Sequence, residues 1–123
     1  MKKVLVGGVF NVIHAGHLFF LKEAKKRGDY LIVVIASDKT AGDKAIYPAV
    51  TRKQLVENLD FVDKVVIGSD DNKTDVLKKE KPDLVVLGYD QVMRIESIPV
   101  ERVKKFGDYS TKRIMKKTRH PKG

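Results

Sequence analysis

His14 and His17 stand three residues apart in the stretch GGVFNVIHAGHLFF, Gly7 to Phe20, with glycines at 7, 8 and 16 around them. Glycine lets backbone approach a ligand closely, as a phosphate requires. A single His beside apolar residues is ordinarily a structural donor, but two in H-x-G-H between an apolar run and an amphipathic one call for another reason. Zinc is a poor one, because the chain has no Cys and no carboxylate lies near the pair. An oxygen that gains negative charge is a better one. Two imidazoles beside the N–H groups of a helix start supply donors and a positive dipole end, as phosphoryl or nucleotidyl transfer needs.

These residues need a frame, and the sequence provides one. KVLV (3–6), YLIVVIA (30–36), KVVI (64–67) and DLVVL (83–87) are short, β-branched, nearly continuous apolar runs. Such runs fit strands buried on both faces of a parallel sheet. Helical patterns alternate with them. One carries Leu18, Leu21 and Ala24 and stops at Gly28, one spans 52–59, and one spans 74–79 before Lys81-Pro82. The order β-α-β-α-β-α-β predicts a single doubly wound α/β domain with its ligands beyond the carboxyl ends of the strands. The stretch 40–47 reads as a loop. The stretch 98–103 reads as a brief strand or a short helix, and a fifth strand is not placed.

Composition sets the outer limits. One domain is expected in 123 residues, here 1–117, with 118–123 as a basic tail. The formal net charge is +9, from 25 Lys and Arg against 16 Asp and Glu. Lys104 to Gly123 holds eight of the basic residues and one Asp, so most of the excess lies there. An anionic partner follows from this. The absence of Cys and of any apolar run near ~20 residues fits a cytoplasmic chain with no membrane association.

GGVFNVIHAGH resembles the G-x-F-D-x-x-H-x-G-H signature of the nucleotidyltransferase superfamily that includes glycerol-3-phosphate cytidylyltransferases, phosphopantetheine adenylyltransferases and archaeal FAD synthases. The resemblance implies a Rossmann-like fold. It implies that His14 and His17 stabilise the α-phosphate of a nucleoside triphosphate, with Mg2+ accompanying the triphosphate and no protein side chains assigned as metal ligands. Asn11 stands where the family has Asp, so an amide replaces a charge.

By the same resemblance, Gly8, Val9, Phe10, Asn11, Gly16, Gly88, Asp90, Gln91, Ser110, Thr111 and Arg113 face the nucleotide, with Lys112 as an alternative cation to Arg113. Lys44, also expected to be catalytic, and Arg52 would neutralise the acceptor phosphate. The stretch LGYDQ (87–91) is similar to the archaeal FAD synthases, whereas Asp60 stands where glycerol-phosphate enzymes have Arg. Asp63, in FVDKVV, is expected to be structural.

The function implied is transfer of AMP from ATP to FMN with release of pyrophosphate. The alternative within the family is transfer of CMP to glycerol 3-phosphate or a similar small phosphorylated alcohol. A non-catalytic nucleotide- or RNA-binding domain is the alternative of another class, resting on the basic end alone. A nucleic-acid partner is not expected, because that end lacks interleaved aromatics. The family also implies a homodimer.

Overall fold

The computed structural model describes residues 1–104 apart from 12, 71–73, 89, 90 and 92–96. Five strands form one parallel sheet: β1 (Lys3–Gly8), β2 (Tyr30–Ile35), β3 (Lys64–Ile67), β4 (Leu84–Leu87) and β5 (Val100–Arg102), in the order β3-β2-β1-β4-β5. Between them lie α1 (Ala15–Lys25), α2 (Asp38–Ala41), a 3-10 turn (Gly42–Lys44), α3 (Ala49–Glu57) and α4 (Asp75–Glu80). The doubly wound parallel sheet expected from the apolar runs is therefore present. The fifth strand falls inside the ambiguous stretch, beside β4. The 40–47 segment is not a plain loop, since α2 and the 3-10 turn occupy its first part.

Strand side chains alternate between two cores. Val4, Val6, Leu31, Val33, Ile35, Leu84 and Val86 face one way and pack with Leu21 and Ala24 of α1 and with Ala49 and Val56 of α3. Leu5, Ile32, Val85 and Leu87 face the other way and meet Leu77 of α4. Both faces are apolar because both are covered, which is why the strand sequences show no polar alternation.

The amino-terminal edge of the sheet is fastened by a repeated device. Asp29, Asp63 and Asp83 each immediately precede a strand. The Asp29 carboxylate accepts from Lys2 N, that of Asp63 from Leu31 N, and that of Asp83 from Lys3 N, each at 2.8 Å. In return each Asp N–H donates to the carbonyl of that same residue, at 2.8, 3.0 and 2.9 Å respectively. A carboxylate accepting a backbone N–H makes one of the stronger hydrogen bonds in a protein. Register is thus set at one edge, leaving the opposite edge to glycines and histidines.

At that opposite edge the chain reverses direction across the sheet. Strands β1, β2 and β3 run outward one way, and β4 returns to the other side of β1. Ladder pairing between β1 and β4 covers only Val4↔Leu84 and Leu5↔Val85, whereas β1 pairs with β2 as far as Gly8↔Ile35. Beyond Leu5 the switch point between β1 and β4 is open, and ligands of such sheets bind there.

Candidate active site

His14 is the N-cap of α1, and its Nδ1 accepts from Gly16 N at 3.1 Å. His17, at the third helical position, accepts from His14 N through its own Nδ1 at 3.3 Å. The two rings thus form a reciprocal capping box in which imidazoles take the parts usually played by Ser and Glu. The chemical consequence concerns tautomers. With Nδ1 of each neutral ring occupied as an acceptor, the proton belongs on Nε2, so both rings carry an Nε2–H donor at the start of the same helix. Their centroids lie 3.9 Å apart at 33°, and the Phe10 ring is 5.4 Å from that of His17.

The glycines in the motif serve this arrangement. A Cβ on Gly16 would lie 3.0 Å from His14 Cε1, and one on Gly8 would lie 2.8 Å from Phe10 Cε2. Phe10 itself has φ of 51°. That left-handed conformation costs a non-glycine residue about 1 kcal/mol. The ring is only 4% exposed, and burying a Phe contributes about 2 kcal/mol, so packing outweighs the strain.

Arg52 has a different occupation from the phosphate cation expected of it. Its side chain is fully buried. Nε donates to Tyr47 O at 2.8 Å, Nη1 to Ala36 O at 2.8 Å and Val9 O at 3.0 Å, and Nη2 to Asp38 Oδ1 at 3.0 Å. A buried guanidinium needs such partners, and here they tie the ends of β1 and β2 to the start of α3. The missed signal is Asp38, two residues beyond the second apolar run, which also accepts from Ala49 N at 2.8 Å.

Gln91, expected against the nucleotide, spends much of its amide on the open switch point. Nε2 donates to Gly7 O at 2.9 Å and Oε1 accepts from Gly88 N at 2.8 Å, bridging strands that no longer pair directly. Arg102, which the sequence did not single out, donates through Nη1 to Gly88 O at 3.1 Å and to Gln91 O. Gly8, Val9, Phe10, Asn11, Gly16, His14, His17, Gly88 and Gln91 all lie at the carboxyl edge of β1 and β4. Lys44 ends the 3-10 turn and is exposed, with its carbonyl held by Asn11 Nδ2 at 2.5 Å. Asp90, Ser110, Thr111, Lys112 and Arg113 lie outside the described residues.

A cavity of about 170 Å³ adjoins this edge on the α4 face of the sheet. Leu5, Val34, Val76, Leu77, Val85 and Leu87 give it an apolar wall, Ser37, Thr40, Ser69 and Gln91 are its polar members, and Gly7 and Gly8 at the end of β1 also line it.

A cytidylyltransferase-like family model matches residues 5–122. The chain belongs to the cytidylyltransferase-like family. Its relatives include an FAD synthase of Picrophilus torridus, 45% identical over 92 residues, which are 72% of this chain and 66% of that protein. An FAD synthase of Ferroglobus placidus is 45% identical over 93 residues, or 74% of this chain and 61% of the relative. The chain therefore spans just under two thirds of the length of these two relatives. An FAD synthase of Aciduliprofundum boonei is 38% identical over 122 residues, 88% of this chain and 82% of the relative. Among solved structures, the lipopolysaccharide core biosynthesis protein of Thermoplasma volcanium superposes with a TM-score of 0.82 at 33% identity, covering 86% of this chain and 98% of that one.

Proposed function

We propose that this chain is a nucleotidyltransferase that moves AMP from ATP to the phosphate of FMN, giving FAD and pyrophosphate. The observation that carries the reading is the α1 capping box, which holds the imidazoles of His14 and His17 together at the helix start beside the switch point. A phosphate oxygen of the acceptor attacks the α-phosphorus, a new P–O bond forms, and the bond to the β-phosphate oxygen breaks in line. Negative charge grows on the oxygens of the α-phosphate as it does so. Donors already fixed in place stabilise that charge without reorganising at the moment of reaction. Lys44, on the exposed turn after α2, is the cation assigned to the acceptor phosphate.

The choice of FMN is supported by the relatives' names and by the cavity. Glycerol 3-phosphate has no apolar surface to set against Leu5, Val34, Val85 and Leu87, whereas a flavin ring does. Among the described residues no group of three or more His, Cys, Asp or Glu could hold a metal. In this reading magnesium accompanies the triphosphate and shields its charge. No described helix is long and apolar enough to cross a membrane. A cytoplasmic homodimer is part of the same reading, and sedimentation at micromolar concentration tests its assembly.

The deciding experiment supplies ATP or CTP with FMN or glycerol 3-phosphate and follows pyrophosphate together with the nucleotidylated product. Turnover is expected only with ATP and FMN. Turnover with CTP and glycerol 3-phosphate would transfer the assignment to a cytidylyltransferase, and RNA binding with no pyrophosphate from any pair would point to the binding domain.

A further inference from the structure

Asn11 follows the strained Phe10 and faces the segment that carries Lys44. Its Nδ2 donates to Lys44 O at 2.5 Å, while its Oδ1 accepts from Ile46 N at 2.7 Å and from Tyr47 N at 3.4 Å. One side chain thus acts as donor and acceptor toward the backbone of a single segment. Little else fixes that segment from the outside. Residues 42–44 and 46–48 are exposed, Ile46 at 72% and Tyr47 at 43%, so hydrogen bonds rather than burial decide its place. The second fastening is Arg52, which joins Val9 O to Tyr47 O from below.

We propose that Asn11 is a positioning residue whose carboxamide clasps the 44–47 backbone to the end of β1 and so fixes where Lys44 stands. The functional half of this statement rests on Lys44 serving the acceptor phosphate, as proposed above; the clasp itself does not. The chemistry discriminates between Asn and the Asp found in the family motif. A carboxylate accepts from Ile46 N as well as an amide does, but it offers no proton to Lys44 O and sets two oxygens against each other at 2.5 Å. A protonated carboxyl group regains the donor.

Asn11→Ala and Asn11→Asp test the clasp without substrate. Cleavage after Lys44 by a lysine-specific protease at pH 7.5, measured relative to the other lysine sites, should quicken about tenfold in Asn11→Ala and less in Asn11→Asp. In labelled Asn11→Asp, the carbonyl-carbon shift of Lys44 should move back toward the parent value as pH falls to 4.5. His14 and His17 on one side, and Asp38, Asp43, Lys44, Tyr47 and Arg52 on the other, are the charged and titratable groups of the segments that meet here. All are common to parent and variant, so the parent's own profile is subtracted. With substrate, both variants should raise KM for the acceptor several-fold and change kcat less.

Unchanged cleavage in Asn11→Ala, or a Lys44 carbonyl in Asn11→Asp indifferent to pH, would overturn the clasp. An Asn11→Asp variant with faster turnover and a lower magnesium requirement would overturn it in another way, by placing residue 11 against the metal–phosphate complex. Should Asn11→Ala fail to fold, the isosteric Asp variant still decides. Failure of transfer with every acceptor would sink the proposed function while leaving the cleavage and shift measurements interpretable.

Discussion

The capping contact of His17 and the catalytic role proposed for it are separable by magnitude. Its Nδ1 closes the capping box on His14 N, while the proposed transfer assigns the ring a donor role toward the developing charge. Loss of a helix cap costs about 1 kcal/mol of stability, whereas loss of a preorganised donor to an oxyanion costs ~10² in rate. His17→Ala should therefore lower the urea midpoint modestly and turnover at saturating substrates by about a hundredfold. Equal turnover in variant and parent would remove His17 from the chemistry. The sequence disclosed that these histidines belong together, because H-x-G-H at a strand-to-helix junction restricts them to one helix start. It did not disclose what Arg52 and Gln91 do. Their types suit phosphates and bases equally well, and only the three-dimensional course of Val9, Ala36 and Tyr47 around Arg52, and of Gly7 and Gly88 around Gln91, shows that protein backbone occupies them.

At the scale of elements, the strands were legible from apolar runs, and β5 was not because Val100–Arg102 is short, lies on the edge and is largely exposed. The Asp preceding β2, β3 and β4 is a pattern visible in GDYLIVV, VDKVV and PDLVV, although its meaning needs the neighbouring strand. Asp63 shows what the device contributes. Partial burial alone would raise its pKa, but Lys25 Nζ at 2.5 Å and the Leu31 N–H at 2.8 Å hold it below the usual carboxylate range. A depressed folded-state pKa means that the unfolded chain binds the proton first. The stabilisation is then complete above the unfolded value, about 3.9, and fades as pH falls through the lower folded value. Lys25 and Asp63 are about a third exposed, which makes the gain modest. Chemical unfolding of the parent should lose this contribution as pH falls below about 4, and Asp63→Asn should be less stable at pH 7 with a flatter acid limb. Parallel acid limbs in the two proteins would show that Asp63 contributes nothing through its charge.

For the whole molecule, the sheet separates two jobs: carboxylates fasten one edge, and glycines, histidines and the cavity occupy the other. Charge is divided along the chain as well. Residues 1–103 contain seventeen Lys and Arg against fifteen Asp and Glu, a net of +2, so most of the positive excess lies in the last twenty residues. Not all of these residues should matter. Lys112 and Arg113 directly follow the Ser110-Thr111 pair that the resemblance assigns to the β- and γ-phosphates, whereas Lys122 and its neighbours are separated from that pair by several residues. Truncation after Lys117 should leave KM for ATP nearly unchanged. Neutralising Lys112 and Arg113 together should raise it about tenfold, the effect of roughly one lost charged hydrogen bond. These two changes remove similar amounts of charge, so a nonspecific attraction would respond to both alike. Binding that collapses on truncation and survives the double substitution would make the tail itself the anion site, with a steep salt dependence toward RNA as its next expected property.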